Sequence, residues 1–377
     1  MNEFRPAKRL RGIEKSLIRQ LFDRSRPDSI NLGLGEPDVM TPEVIRHAAA
    51  RIVMDEKNGY TSHAGLQGLR EQVAAQYRYT KAKPEGVIIT AGSQEALYLA
   101  LMTLVDEGDE VLLPDPGFVA YPTIVRMAGG MPVFYRLPAA RDFAFDADDF
   151  RRRVTNRTRV VVCISPSNPT GRTLTKDDLA AMSAVLSGTD AYVISDEIYR
   201  ELYYTAEPPE SISDYYSRTL VIGGLSKSMS MTGWRIGWLC GEEDVIQSAL
   251  VLHGYVTTCA STIAQKTALQ AAWTNEAESA REFMRQTFHE RRDYLVALID
   301  DQPGWHAVAP DGAFYTMVRT AGHDDSLKLA EKMLEHGVVT VPGVAFGSEA
   351  EGFLRVSFCA EKPVLAEGVR RMVEGAK

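Results

Sequence analysis

Apolar residues along this chain gather into short continuous runs separated by longer segments of mixed polarity. Residues 86–91 (GVIITA), 159–165 (RVVVCIS), 191–195 (AYVIS) and 219–223 (TLVIG) are such runs. Their β-branched, unalternated character predicts strands covered on both faces, as in a parallel sheet. Strands alternate with helical segments between residues 45 and 275, so a mostly parallel sheet with crossover helices is expected there. A long helical stretch, 275–299, then leads to three further strand-like runs at 313–318, 338–341 and 354–358, which predict a second, smaller sheet. The pattern divides the chain into a large domain, 45–275, and a smaller α/β domain made of 1–44 and 276–377.

The polar residues just after each buried run carry the chemistry. The run 159–165 ends in Pro166, Ser167, Asn168, Pro169, Thr170 and Gly171, a rigid turn that contains Asn168. The next delivers Asp196, Glu197, Ile198 and Tyr199, and the third delivers Ser226 and Lys227. Open α/β sheets bind ligands outside the carboxyl ends of their strands, and this series describes such a site. Lys227 is a candidate Schiff-base nucleophile: an ammonium among apolar residues, or beside another cation, loses hydration and releases its proton more easily. Arg235, after the Gly233 break, is the possible second cation and suits an anion such as a phosphate. Upstream, Gly92, Ser93 and Gln94 follow a strand and open a helix, so backbone amides and the positive end of a helix dipole face whatever lies above the turn. The turn is neither a GxxxxGK loop nor a GxGxxG fingerprint.

Taken together, SNPTG at 167–171, SDEIY at 195–199 and SKSMSMTGWRIG at 226–237 resemble the class I/II aminotransferases, the fold type I enzymes that use pyridoxal 5'-phosphate. The resemblance extends from GEPD at 35–38, with Thr41 and Pro42, through Tyr60 and GLQGLR at 65–70, to FLRVS at 353–357. It implies a seven-stranded sheet with one antiparallel strand near 235–241. It also implies that Lys227 binds the cofactor and moves the substrate proton, that Asp196 pairs with the pyridine nitrogen, and that Asn168 and Tyr199 hydrogen-bond the 3'-oxygen. Phe118 matches the aromatic that stacks on the ring. Phosphate ligands would be Ser93, Gln94, the Gly92 amide, Ser226 and Arg235, with Tyr60 reaching in from the neighbouring subunit of a homodimer. Many relatives carry a serine three residues before the lysine, where this chain has Gly224. Arg355 would bind the substrate α-carboxylate, with the backbone of Gly35 nearby. The implied reaction moves an amino group from an L-amino acid to a 2-oxo acid such as 2-oxoglutarate. Two alternatives stay open: a β-lyase or ring-forming synthase of the same fold, and a cofactor-sensing regulator, for whose DNA-binding module there is no room or basic stretch before Asn31.

The remaining features bear on setting. At 377 residues the chain is long enough for two domains, and 45 % of it is hydrophobic with no unbroken apolar run of membrane length. A net charge of −8 argues against a nucleic-acid surface. Cys163, Cys240, Cys259 and Cys359 have no metal-type spacing and read as reduced core thiols of a cytoplasmic protein, and no metal site is expected. The start, MNEFRPAKRLRGIEK, is charged and lacks the apolar core of a secretory signal. Arg19, Arg24, Arg126 and Arg319 are candidates for a second substrate carboxylate, of which Arg19 and Arg24 are expected on a solvated helix face.

Overall fold

The computed structural model describes residues 5–77 and 83–377; the first four residues of the charged start lie outside the described residues. A short N-terminal strand, β1 (Ile30–Asn31), precedes the main sheet. That sheet is built from β2 (Val87–Thr90), β3 (Glu110–Asp115), β4 (Met131–Arg136), β5 (Thr158–Ile164), β6 (Tyr192–Asp196), β7 (Thr219–Gly224) and β8 (Gly237–Cys240). The order across it is β2-β8-β7-β6-β5-β3-β4. Strand β8 runs antiparallel to both β2 and β7, and the other neighbours are parallel. The reversed strand therefore falls within the region expected of it.

Burial on both faces explains the continuous apolar runs. In β5, Val160, Val162 and Ile164 join a core with the helix Ser93–Leu104, whereas Val161 and Cys163 join a separate cluster with Leu179 and Met182 from the helix Lys176–Leu186. Period-two alternation thus sorts side chains between two cores that are equally apolar, which is why no polar alternation marks the sequence. The helix Asn275–Asp300 starts at a Thr274 cap whose side chain accepts from the Ala277 amide. Its Met284, Phe288, Leu295 and Ile299 enter the same core as one face of the sheet.

The C-terminal part holds β9 (Trp305–Ala307), β10 (Tyr315–Thr320), β11 (Val338–Val339), β12 (Val341–Pro342) and β13 (Leu354–Ser357). Four of these form an antiparallel sheet in the order β12-β13-β10-β9. One sequence expectation is corrected by this sheet, and one strand of it was not foreseen. The run 338–341 is not one strand of it: Val338 and Val339 pair in parallel with Ile30 and Asn31, and only Val341 continues into β12. The fourth strand, β9, has only three residues and carried no legible signal. The pairing of β1 with β11 ties the N-terminal arm to the C-terminal part.

The cysteines also differ from expectation. Cys163 and Cys240 are buried, but Cys259 and Cys359 are only partly so, although all four are free thiols. Among the described residues no helix is long and apolar enough to cross a membrane.

Candidate active site

Strands β5, β6 and β7 point their carboxyl ends into one cavity of about 310 Å³. Its lining includes Asn168, Asp196, Tyr199, Ser226, Lys227 and Arg235 from the large sheet's edge. Ser93 and Gln94 join from the start of the helix after β2, Phe118 from the loop after β3, and Gly35 and Arg355 from the other side. Every residue expected at the site therefore lies there except two. Tyr60 is 88 % exposed and lies with Asn58, Gly59 and Cys259 in a separate hollow. Gly92 caps the helix Ser93–Leu104 at φ 88°, immediately beneath the cavity.

The Gly92 expectation needs correction in detail. Its amide donates to the Thr90 carbonyl at 2.8 Å, so it is not free for an anion. What the glycine supplies is room: a Cβ there would stand 2.4 Å from Nη2 of Arg235. Arg235 itself adopts φ 53° and is held by carbonyls, Nη1 donating to Thr232 at 2.8 Å and Nη2 to Ala91 at 3.3 Å. The guanidinium is thereby drawn against the helix N-terminus, where free first-turn amides add to its positive potential. At Gly224, a Cβ would meet the Ile236 carbonyl oxygen at 3.0 Å and Ile198 Cδ1 at 3.1 Å. The position has little space for a serine, which leaves Ser226 as the hydroxyl before the lysine.

Lys227 is mostly enclosed. Its Nζ donates to the Gly35 carbonyl at 2.6 Å and lies 5.9 Å and 5.7 Å from the ring centroids of Tyr199 and Phe314. Burial lowers its pKa to about 8; Arg355 and Arg235 push the same way, against Cys359 and Glu36. The sequence offered burial or a second cation as the cause, and burial dominates. Asp196 shifts in the other direction. Burial raises its carboxyl to about 6, while the Tyr121 hydroxyl at 2.9 Å, the Ile198 amide at 3.3 Å and Lys227 favour the charged form.

Arg355 is 3 % exposed, so the exposed structural arginine that strand alternation allowed is ruled out. Its guanidinium lies between the rings of Tyr315 and Phe346, at 4.2 Å and 4.8 Å from their centroids. Nη1 donates to Asn168 Oδ1 at 2.7 Å and Nη2 to the Gly33 carbonyl at 2.5 Å, and Nε is buried with no partner among the described residues. All its close oxygen partners are neutral. A buried guanidinium without a carboxylate partner is a site prepared for an anion. Burial lowers its pKa without removing its charge.

Among the residues the sequence reading missed are Tyr121, which bonds Asp196 from behind the lining, and the lining residues Tyr315 and Ile18. Tyr121 follows Phe118 by three residues at the start of the helix Ala120–Met127, with the two rings edge to face at 5.5 Å. Tyr315 joins its hydroxyl to that of Tyr199 at 3.0 Å, and a Cβ on Gly35 would collide with it. Ile18, from the helix Leu17–Asp23, forms part of the lining. Tyr315 and Ile18 reach the cavity through long-range packing that leaves no local sequence signal.

The model of the family described as aminotransferase class I and II matches residues 27–372. This chain belongs to that family. An aspartate aminotransferase from Pyrococcus horikoshii is 35 % identical to this aminotransferase, with 98 % of each chain covered. An aspartate/prephenate aminotransferase from Thermus thermophilus is 37 % identical over 92 % of this chain and 91 % of its own. The structure of the Thermus thermophilus aspartate aminotransferase with maleate superposes with a TM-score of 0.93 at 34 % identity, covering 99 % of this chain and all of that one. The fold is that of fold type I transferases, and the cofactor of this aminotransferase is pyridoxal 5'-phosphate. The cavity fits that group. A buried carboxylate and a partly deprotonated amine share one cavity, with a guanidinium packed on a helix N-terminus at its side.

The Lys227 environment sets a testable pH dependence. Below about pH 8 its amine is protonated and unreactive, and above it the free amine prevails, whereas solvated lysines stay protonated to about pH 10.4. Cofactor-free protein treated with cyanate across pH 6–10 and mapped by mass spectrometry should show half-maximal modification of Lys227 near pH 8. Modification that tracks the surface lysines contradicts the assignment.

Proposed function

We propose that this aminotransferase transfers the amino group of an L-amino acid to a 2-oxo acid, 2-oxoglutarate being the expected acceptor, in two half-reactions. The relatives' names make aspartate the first donor to test. Of the arginines considered for a second carboxylate, Arg19 pairs with Asp23, Arg24 pairs with Glu331, and Arg319 packs over Phe353. Arg19 and Arg24 occupy the solvated positions expected of them. None of these, nor Arg126, lines the cavity.

When bound, pyridoxal phosphate supplies an aldehyde for the amines and a ring that accepts the electron pair released at the substrate Cα. Lys227 Nζ, neutral at moderately alkaline pH, would hold the cofactor covalently and, once released by the substrate amine, would take and return the Cα proton. Asp196 would face the pyridine nitrogen and keep its proton in place; Tyr121, donating to Asp196 Oδ2, orients that carboxylate. Asn168 and Tyr199 would hold the 3'-oxygen, and Phe118 would cover the ring. Ser93, Gln94, Ser226 and Arg235 would receive the phosphate, and the small separation of Arg235 from Gly92 supports that role. Arg355 would orient the substrate through two parallel hydrogen bonds to its α-carboxylate, beside the Gly35 backbone. The observation that carries this reading is the presence, in one cavity, of a lysine with a pKa near 8 and a buried arginine that has no acidic partner.

The same reading includes a homodimer in which Tyr60 of each chain completes the phosphate site of the other. Exposed apolar side chains, Val53, Met54, Tyr60 itself and Tyr255, support a surface that another chain covers. It also includes a large domain of 45–275, a smaller one of 1–44 and 276–377, and residence in the cytoplasm, which the four unpaired cysteines support.

A panel of amino donors with 2-oxoglutarate, read out by keto-acid formation, tests the reaction. Loss of a Cβ substituent with pyruvate and ammonia as products would favour the lyase alternative. Borohydride reduction of the holoenzyme should leave the pyridoxyl label on Lys227, and a label on another lysine overturns the assignment.

Arg355→Lys keeps the charge and loses the fork. It should reduce kcat/KM for α-amino acids by about a hundredfold or more, consistent with 2 to 4 kcal/mol for a desolvated charge pair. Reaction with an amine lacking a carboxylate should be little changed. Equal slowing of both places the carboxylate anchor elsewhere.

Mixing the impaired Tyr60→Phe chain with the inactive Lys227→Ala chain should raise activity per intact lysine to the wild-type level, because each hybrid dimer then contains one intact site and one doubly altered site. Hybrids that stay at the Tyr60→Phe level show that Tyr60 serves its own chain.

A further inference from the structure

Behind the helix N-terminus that would receive the phosphate lies a second polar cluster. Glu95 is the third residue of the helix Ser93–Leu104, with an 8 % exposed side chain. One carboxylate oxygen accepts from the Ala91 amide at 2.5 Å. The other accepts from the Thr257 hydroxyl at 2.6 Å and lies 3.0 Å from Nδ1 of His253. His253 is fully buried in the last turn of the helix Glu243–Val256, and its Nε2 has no partner among the described residues.

A carboxylate in a first turn suits the helix dipole, but this one stands one turn from the place where a dianion would bind. Repulsion between the two would oppose cofactor binding unless the carboxylate's charge is compensated or serves a further role. Burial pushes the Glu95 carboxyl up, yet hydrogen bonds from His253, Thr257 and Ala91 outweigh this and leave it below the usual range. It is therefore an ionised acceptor whose charge is directed to donors behind the turn.

Ala91 is fixed from both sides. Its amide is bonded to Glu95, and its carbonyl accepts from Arg235 Nη2 at 3.3 Å. We propose that Glu95, anchored by Thr257 and His253, is a positioning residue for the phosphate cup, holding the 90–94 turn so that the first-turn amides and Arg235 converge on one anion. His253 and Thr257 transmit the position of the helix Glu243–Val256 to that turn. This rests on the assignment of the cup to the cofactor phosphate.

Pyridoxal, which lacks the phosphate, separates the two claims. Binding of pyridoxal phosphate and of pyridoxal is titrated by absorbance and fluorescence for wild type, Glu95→Ala, Glu95→Gln, Thr257→Val and Arg235→Gln, with thermal unfolding of each cofactor-free protein as a check. Glu95→Ala should weaken pyridoxal phosphate binding about ten- to a hundredfold, the range for losing hydrogen bonds to a charged group, and leave pyridoxal affinity unchanged. Thr257→Val should shift affinity in the same selective direction, and glutamine, which keeps an acceptor for the Ala91 amide, should restore much of the loss. Equal weakening of both ligands by Glu95→Ala, or none, overturns the proposal. If that variant does not fold, an unselective Thr257→Val does so instead. Arg235→Gln tests the underlying assignment: a selective loss there with none at Glu95 defeats only the clamp, and no selective loss at Arg235 defeats the phosphate cup itself.

Discussion

Removal of water from one lysine is the constraint on which the site depends. A solvated ammonium at neutral pH is a poor nucleophile, and shifting its pKa to about 8 requires walls on every side. The large sheet supplies the floor, because Lys227 follows β7 into a region already closed by the end of β6. The C-terminal part supplies the roof through Phe314 and Arg355, and the N-terminal arm adds the Gly35 carbonyl. The pairing of β1 with β11 thus has a chemical role: it anchors the arm that carries Gly35.

Consecutive acids at the end of β6 show how strand geometry divides labour. Asp196 projects into the cavity, whereas Glu197 turns to the other side, where Ser195, Ser211 and Arg200 bond to it. Both are buried, and burial raises both carboxyls. Only Asp196 lines the cavity of Lys227, so two residues of like chemistry serve a site and a core.

Much of this was legible locally. Unbroken β-branched runs located β5, β6 and β7, and the polar residue after each run located Asn168, Asp196 and Lys227. Such features are written in a few adjacent residues. The fate of 338–341 was not, because whether Val338 pairs with β1 or with β13 depends on the path of a chain segment three hundred residues away. Burial of Arg355 was equally hidden: alternation along 353–359 identified its face, but Tyr315 and Phe346, which enclose it, come from other elements. The glycine at 92 was read as a donor from its place at a helix start, and only the three-dimensional approach of Arg235 shows that it provides space.

The single reversed strand acts as a ruler. Because β8 lies between β2 and β7, the turn after β2 and the lysine after β7 stand two strand spacings apart, about 10 Å. Side chains must close most of that gap, and the two that do, Lys227 and Arg235, are among the longest the genetic code provides. A parallel strand in the same position would arrive from the opposite edge and end at the cavity. An antiparallel strand begins there, so Arg235 is presented just before its first residue, between the two places a bridging ligand must reach. Selection by length is in this way built into the strand order, before any side chain is chosen.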